Sequence, residues 1–297
     1  MQRVFVGSEA LASGLLTRSA LRWNYRRMFP DVYVDARAEP TLRDRIGAAW
    51  LWSRRSGVIA GAAASALHGA KWVKAQTPIE MIWRSGRPPS GIVVRNERLD
   101  SDEVMLADGI LVTTPERTAF DLARHLPRNE AVARLDALAN ATGVKAVDAL
   151  LLGERYPAAR GIRRAVEALS LMDAGSESPR ETWLRLILVD AWLDPVRTQI
   201  AVGERVHLDM GYDEPMIGLE YEGAHHSEDR DTYVYDIGRS EFVERRGWLT
   251  VKVVKEHSPA FIKHRVGEAF VRRGYTPTLR PRPRSRRRNG RQRNLGD

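Results

Sequence analysis

The 297-residue sequence contains no cysteine. Disulfides and cysteine-ligated zinc are thereby excluded, and an intracellular setting is the expected one. Long apolar runs are missing as well. The longest weakly polar stretch, Val58 to Ala70, is mostly alanine and glycine and too short to cross a bilayer. The segment Met1 to Glu9 lacks the charged, apolar and cleavage regions of a secretory signal, so a cytoplasmic protein with no membrane partner is expected. Lysine is scarce, with 6 residues against 41 arginines. Arginine abundance alone says little, because a GC-rich genome produces it. Its distribution says more. Residues 1–75 carry a net +7, residues 76–175 a net −1, residues 176–275 a net −4, and residues 276–297 a net +7. Two basic ends flanking a mildly acidic body fit a protein that grips a polyanion with its ends.

Four segments follow from patterning. Residues 8–29 read as two or three short helices: Ser8 can cap the first, Gly14 breaks it, and Thr17 can cap a second over Arg18 to Trp23. Val32-Tyr33-Val34 reads as a short strand. Helix, turn, helix, strand is the order of a winged helix-turn-helix, assigned here to residues 1–75. Arg18, Arg22, Arg26 and Arg27 are its candidate DNA contacts; a helical cap with a solvated arginine face is the competing reading. Helices are expected at Thr41 to Arg55 and Gly61 to His68. Residues 76–175 read as an α/β domain, with strands at 79–83, 92–95 and 110–113, a helix opened by Thr114-Pro115-Glu116 and running to about His125, and further helices to residue 171. No charged residue in this stretch stands out as chemistry. Gly175 to Pro179 marks a boundary. Residues 176–275 then read helix, three strands, helix, strand, helix. The Arg-rich tail, residues 276–297, lacks apolar periodicity and is expected to be disordered, with Arg286, Arg287 and Arg288 able to hold phosphates.

The chemistry concentrates in residues 176–275. Strand alternation places Asp209 on one face of its strand, and Glu220 with Glu222 on one face of the next. If those strands are neighbours, Asp209 lies beside Glu220 or Glu222. Glu181 sits in the first turn of the preceding helix, His225 and His226 follow where the chain leaves the sheet, and Asp236 and Arg239 share one side of the next helix. Clustered carboxylates repel one another and call for a cation, and Mg²⁺ or Mn²⁺ prefers such oxygens. A divalent ion on Asp209 and Glu220 would suit phosphodiester hydrolysis, with His226 as proton shuttle or phosphate contact. Solvated acids and satisfied histidines at a sheet edge are the alternative, and for Asp236 and Arg239 a structural ion pair is as natural as catalysis.

This order and these residues resemble the PD-(D/E)XK nuclease core, and within it the very-short-patch-repair-type endonuclease-like domains. The resemblance rests on Glu181, Asp209, the string Glu220-Tyr221-Glu222-Gly223-Ala224-His225-His226, and Asp236 with Arg239. It implies a restriction-endonuclease-like αβββαβ domain in which Glu181, Asp209, Glu220, Glu222 and His226 are catalytic and His225, Asp236 and Arg239 give support. Glu222 stands where that pattern usually has aspartate, and no lysine occupies the position that gives the superfamily its name. Residues 1–170 resemble the AbiEi-type antitoxins of type IV toxin–antitoxin systems, through the helix-turn-helix with Val32-Tyr33-Val34 and through Thr113 to Ala123. Asp31 stands where a glycine often precedes that strand, and an acid beside phosphate would be unfavourable.

The expected fold class is α/β, with an α+β N-terminal part. The leading expectation is a double-stranded-DNA-binding protein with a Mg²⁺-dependent endonuclease domain. The alternative is a non-enzymatic transcriptional regulator or AbiEi-like antitoxin with a degenerate nuclease domain, a toxin partner protein and, as for many winged-helix repressors, a homodimeric state.

Overall fold

The computed structural model describes residues 3–84, 87–191, 193, 196–223 and 230–276. The chain is of the α/β class, with eleven α-helices and three sheets among these residues. It divides into two compact units, Met1–Leu184 and Arg185–Asp297. No described helix is long and apolar enough to cross a membrane.

The first unit opens with β1 (Val4–Val6), α1 (Gly7–Ala12), α2 (Arg18–Asn24), β2 (Tyr25–Phe29) and β3 (Val32–Asp35). The sheet order is β1-β3-β2, antiparallel throughout. Thr17 caps α2 by accepting the Ala20 amide, as expected. Two expectations are corrected. Residues 25–29 are a strand and not a third helix, because they pair with β3 across a tight turn whose Asp31 has φ +60°. Ser8 does not cap α1, which starts one residue earlier behind Val6. Instead its amide and hydroxyl donate to the two oxygens of Asp31, at 2.9 and 2.5 Å. The Asp31 carboxylate therefore has its partners within the protein.

The same unit continues with α3 (Leu42–Trp52), β4 (Val58–Ala60), α4 (Gly61–Leu67), β5 (Ile79–Ile82), β6 (Ile92–Arg95), a 3₁₀ turn at Ser101–Glu103, β7 (Val104–Ala107) and β8 (Ile110–Thr113). Helix α3 begins with a capping box in which Thr41 and Asp44 satisfy each other's backbone amides. The five strands form a mixed sheet in the order β6-β5-β4-β8-β7. Strands β4 and β7 have no counterpart in the sequence reading, and β4 occupies the sheet's centre. Four helices follow: α5 (Pro115–His125), α6 (Arg128–Thr142), α7 (Ala146–Arg155) and α8 (Ile162–Ser170).

Residues 1–75 and 76–175 do not hold separate cores. Val4, Val32 and Val34 of the small sheet, Ile46 and Leu51 of α3, and Ile79, Met81 and Val112 of the larger sheet all lie in one buried cluster. The Gly175–Pro179 boundary is bridged too. Buried Asp136 accepts the Asp173 amide at 2.8 Å on one side and the Thr182 hydroxyl at 2.7 Å on the other. The division between units falls instead at Leu184, within α9 (Pro179–Asp190).

The second unit contains β9 (Arg197–Ala201), β10 (His207–Tyr212), β11 (Ile217–Glu222), α10 (Arg230–Arg245), β12 (Leu249–Val254) and α11 (Pro259–Arg272). Strands β9, β10 and β11 form an antiparallel meander, and β12 adds parallel to β11, giving the order β12-β11-β10-β9. Ile200, Leu208, Val243 and Trp248 form a core on this sheet. Gly211 is required where β10 and β11 pass, because a Cβ there would lie 2.2 Å from the Ile217 carbonyl oxygen; one at Gly218 would press on the Leu208 side chain, 2.5 Å from its Cδ1.

Candidate functional site: a basic face, an acidic strand pair and a buried ion network

Three groups of charged side chains bear on function. The first lies on α2 and β2. Leu21 is the residue that α2 buries; Arg18 and Arg22 are exposed, and Trp23 is left 74% exposed. The Arg22 guanidinium lies 5.5 Å from the Trp23 ring centroid. Arg26 and Arg27 are exposed on β2, and Arg26 donates to the Ala38 carbonyl at 2.9 Å. Of the seven arginines named as DNA contacts these four are described and share one short helix–strand segment; Arg286, Arg287 and Arg288 lie outside the described residues.

The second group is the acidic strand pair. Met210 pairs with Leu219, so β10 and β11 are direct neighbours. Asp209 Oδ2 accepts the Tyr221 amide at 2.7 Å. Glu220 is buried, 7% exposed, and its Oε1 forms an ion pair with Arg239 of α10. Arg239 also donates to the His207 carbonyl at 2.7 Å. Burial disfavours the Arg239 charge, but Glu220 outweighs it and the guanidinium is held above its ordinary pKa. The ion-pair partner of Arg239 is thus Glu220, while Asp236 is exposed on the same helix. Glu222 is exposed and pairs with Lys252 Nζ at 2.7 Å. Glu181 belongs to the first unit, where its Oε2 accepts the Glu177 amide at 2.8 Å; burial raises its pKa. His225 and His226 lie outside the described residues.

Lys252 was not anticipated. It sits on β12, in register with Glu220 of β11, and its ammonium reaches Glu222 from the neighbouring strand. Carboxylate oxygens of Asp209 and Glu220 suit a hard cation such as Mg²⁺. Protein cations nonetheless already balance Glu220 and Glu222. Among the described residues, the groups of three acidic or imidazole ligands whose atoms lie within 4.8 Å of one another are Glu97–Asp121–His125 and Asp100–Asp102–Glu103, both in the first unit.

The third group lies within residues 76–175, where no charged residue stands out from the sequence. Thr114 caps α5 and Pro115 fills its first position, which sets Arg117, Asp121 and Arg124 along one side of the helix. All three are at most 2% exposed. Arg117 Nε donates to Asp121 at 3.0 Å, and its other nitrogens reach Glu103, Glu97 and the Arg98 carbonyl. Arg124 donates to Asp121 at 2.6 Å and to Glu97, and His125 Nε2 lies 3.0 Å from Glu97 Oε1. Arg155 pairs with Asp102 and Glu103 at 2.8 Å. Tyr156 donates its hydroxyl to Glu103 at 2.5 Å; burial and that carboxylate push its pKa up to about 12. Two guanidinium groups fill the space among Glu97, Asp121 and His125, so this set of ligands is already balanced.

Glu97 makes the network pH-dependent. Burial raises its pKa, but hydrogen bonds from His125 and Arg124 outweigh that and hold it at about 2, against 4.5 ordinarily. A depressed folded-state pKa supplies stability above the unfolded value and loses it as pH falls toward the folded value. The stability difference between wild type and Glu97→Gln is therefore expected to be full above pH 4.5 and to shrink between 4.5 and about 2. Urea denaturation at a series of pH values checks this; a difference independent of pH would be contrary.

Two uncharacterized proteins of Mycobacterium tuberculosis, from strains CDC 1551 and H37Rv, are each 27% identical over 172 residues. The match covers 57% of this chain and 63% of each relative, so the chain spans less than two thirds of the curated relatives it matches. Residues 56–174, from the start of β4 to the end of the helices around the buried network, match the family model of the AbiEi antitoxin C-terminal domain.

Proposed function

We propose that the chain is a DNA-binding regulator of the antitoxin kind, acting with a toxin partner. The observation that carries this reading is the match of residues 56–174 to the antitoxin domain, preceded by a helix-turn-helix and strand hairpin with four exposed arginines. In this reading residues 1–75 dock on duplex DNA as a winged helix, with α2 along the groove and Arg18, Arg22 and Arg27 on the phosphates. Asp31 is held by Ser8, which fixes its carboxylate in the turn before β3. The protein is expected to give a footprint on its own promoter and to relieve growth arrest by a toxin encoded beside it. The combined variant Arg18→Ala, Arg22→Ala, Arg27→Ala is expected to lower the slope of log affinity against log salt by about 2.7, at about 0.9 per phosphate contact. An unchanged slope removes this face from the DNA interface.

A second reading, a Mg²⁺- or Mn²⁺-dependent endonuclease, is favoured by the helix, strand meander, helix and strand order of residues 179–254 and by Asp209 on the strand beside Glu220. Asp209 and Glu220 would hold the ion, with Glu222 on the same strand as Glu220 beside it. Such an ion would activate water and stabilise the charged phosphodiester transition state. Supercoiled plasmid, duplex and mismatched duplex, incubated with either metal, test it. No cleavage by the wild type, or equal cleavage by Asp209→Ala and Glu220→Ala, rejects it.

A further inference from the structure

The buried network of the first unit forms the floor of a cleft of about 780 Å³ between the exit of β6, α5 and the connection from α7 to α8. That size falls within the range of small-molecule sites. Seven of its sixteen lining residues are arginine, and Glu97 is its one carboxylate. Most of these charges are already balanced. Arg117, Arg124 and Arg155 are neutralised by Glu97, Asp121, Glu103 and Asp102, Arg95 by Glu80, and Arg98 pairs with Asp100 at 3.3 Å. The exceptions stand at the mouth. Arg160 and Arg164 are exposed, line the cleft, and show no side-chain ion pair among the described residues.

Two features beside them also call for an anion. Buried Arg124 has an Nε–H with no hydrogen-bond acceptor, which is costly unless something completes it. Helix α8, nine residues long, starts at Ile162 behind Gly161 with no side-chain cap, so its first-turn amides keep their donor capacity and its dipole favours negative charge. Both features lie together: Gly161, at φ +85°, packs so closely that a Cβ would fall 2.6 Å from the Arg124 carbonyl oxygen, and Arg124 donates to the Arg160 carbonyl at 3.4 Å.

The rest of the wall suits a flat group. The Phe120 and Tyr156 rings line the cleft, and the Arg98 guanidinium, 75% exposed at its side chain, lies 5.9 Å from the Tyr156 centroid. A guanidinium over an aromatic ring presents a planar, stackable face. We infer that this cleft binds a nucleotide, with the phosphates at Arg160, Arg164 and the start of α8 and the base against Arg98 and Tyr156. The inference stands independently of DNA binding by residues 1–75 and of any metal in the second unit.

Calorimetric titration of the full chain at fixed ionic strength tests it, with ATP and GTP as probes and adenosine and inorganic phosphate as comparators. One of the two nucleotides is expected to bind at least about tenfold more tightly than either comparator. The Arg160→Ala, Arg164→Ala double variant is expected to bind about tenfold or more weakly while keeping its circular dichroism and unliganded Tm, because both side chains are exposed. The inference is overturned if neither nucleotide binds, if inorganic phosphate binds as well as they do, or if the double variant keeps wild-type affinity. Displacement of bound nucleotide by a short duplex of higher affinity would reassign the cleft to nucleic acid and overturn it as well.

Discussion

Arg117→Ala is expected to destabilise the first unit by about 3–5 kcal/mol, the range for removing one partner from a buried ion network. That is a large part of the roughly 5–15 kcal/mol that holds a typical domain folded. Arg117 is 1% exposed, so no water replaces it readily. Its loss strips a donor from Asp121, Glu103 and Glu97 together and frees the Arg98 carbonyl. Burial opposes its charge, but Asp121 and Glu103 raise its pKa in spite of that, so the guanidinium is charged in the fold and its carboxylates depend on it. Arg117→Lys keeps the charge and loses the fork that contacts three acids at once, and is expected to fall between alanine and wild type. Arg124→Ala shares Asp121 and Glu97 with it, so the two losses are expected to be non-additive. Urea denaturation with hydrogen exchange of β7, β8 and α5 reads the effect. A loss below about 1 kcal/mol, the scale of exposed pairs, would mean that the network is solvated.

Local signals carried far where one short segment contained the whole signal. Helix α5 was readable from Thr114-Pro115 to His125 because cap, proline and apolar spacing all lie within it. Strand β2 was not, because Tyr25–Phe29 carries Arg26 and Arg27 beside helical neighbours and becomes a strand only by pairing with β3. Strand β4 is three buried residues running directly into α4 at Gly61, φ +58°, and its central place in the sheet comes from β5 and β8, both distant in sequence. The same distinction governs the charged groups. Alternation along two strands was enough to put Asp209 near Glu220. Lys252 reaches Glu222 through a parallel pairing separated by the whole of α10, which no local pattern reports. The buried network left one visible trace, arginine and aspartate at i,i+4 and aspartate and arginine at i,i+3. On a helix that spacing usually marks a solvated face. Here Glu97 and Glu103 pack against that same side of the helix, and burial reverses its meaning.

Arg239→Ala is expected to have the second largest effect, about 3–5 kcal/mol on the second unit, because it leaves the Glu220 carboxylate buried without its cation. The Glu220 side chain is 10% exposed and that of Arg239 26%, so the two partners are not equivalent when left alone. The arginine can turn toward water and keeps the His207 carbonyl as acceptor; the glutamate sits on β11 between strands β10 and β12. Glu220→Gln is therefore expected to cost less than Arg239→Ala, although both remove the same ion pair. Thermal denaturation of the full chain, with hydrogen exchange of β10 and β11 to locate the change, measures the difference. Mg²⁺ then separates the two readings of this strand pair. If Asp209 and Glu220 hold a cation, loss of the competing guanidinium leaves a more negative site, and Mg²⁺ is expected to raise the Tm of Arg239→Ala more than that of wild type. If Arg239 is the only cation that Glu220 serves, Mg²⁺ shifts both proteins equally. The loss of stability then belongs to the ion pair alone, and the acids of β10 and β11 are structural parts of a regulator.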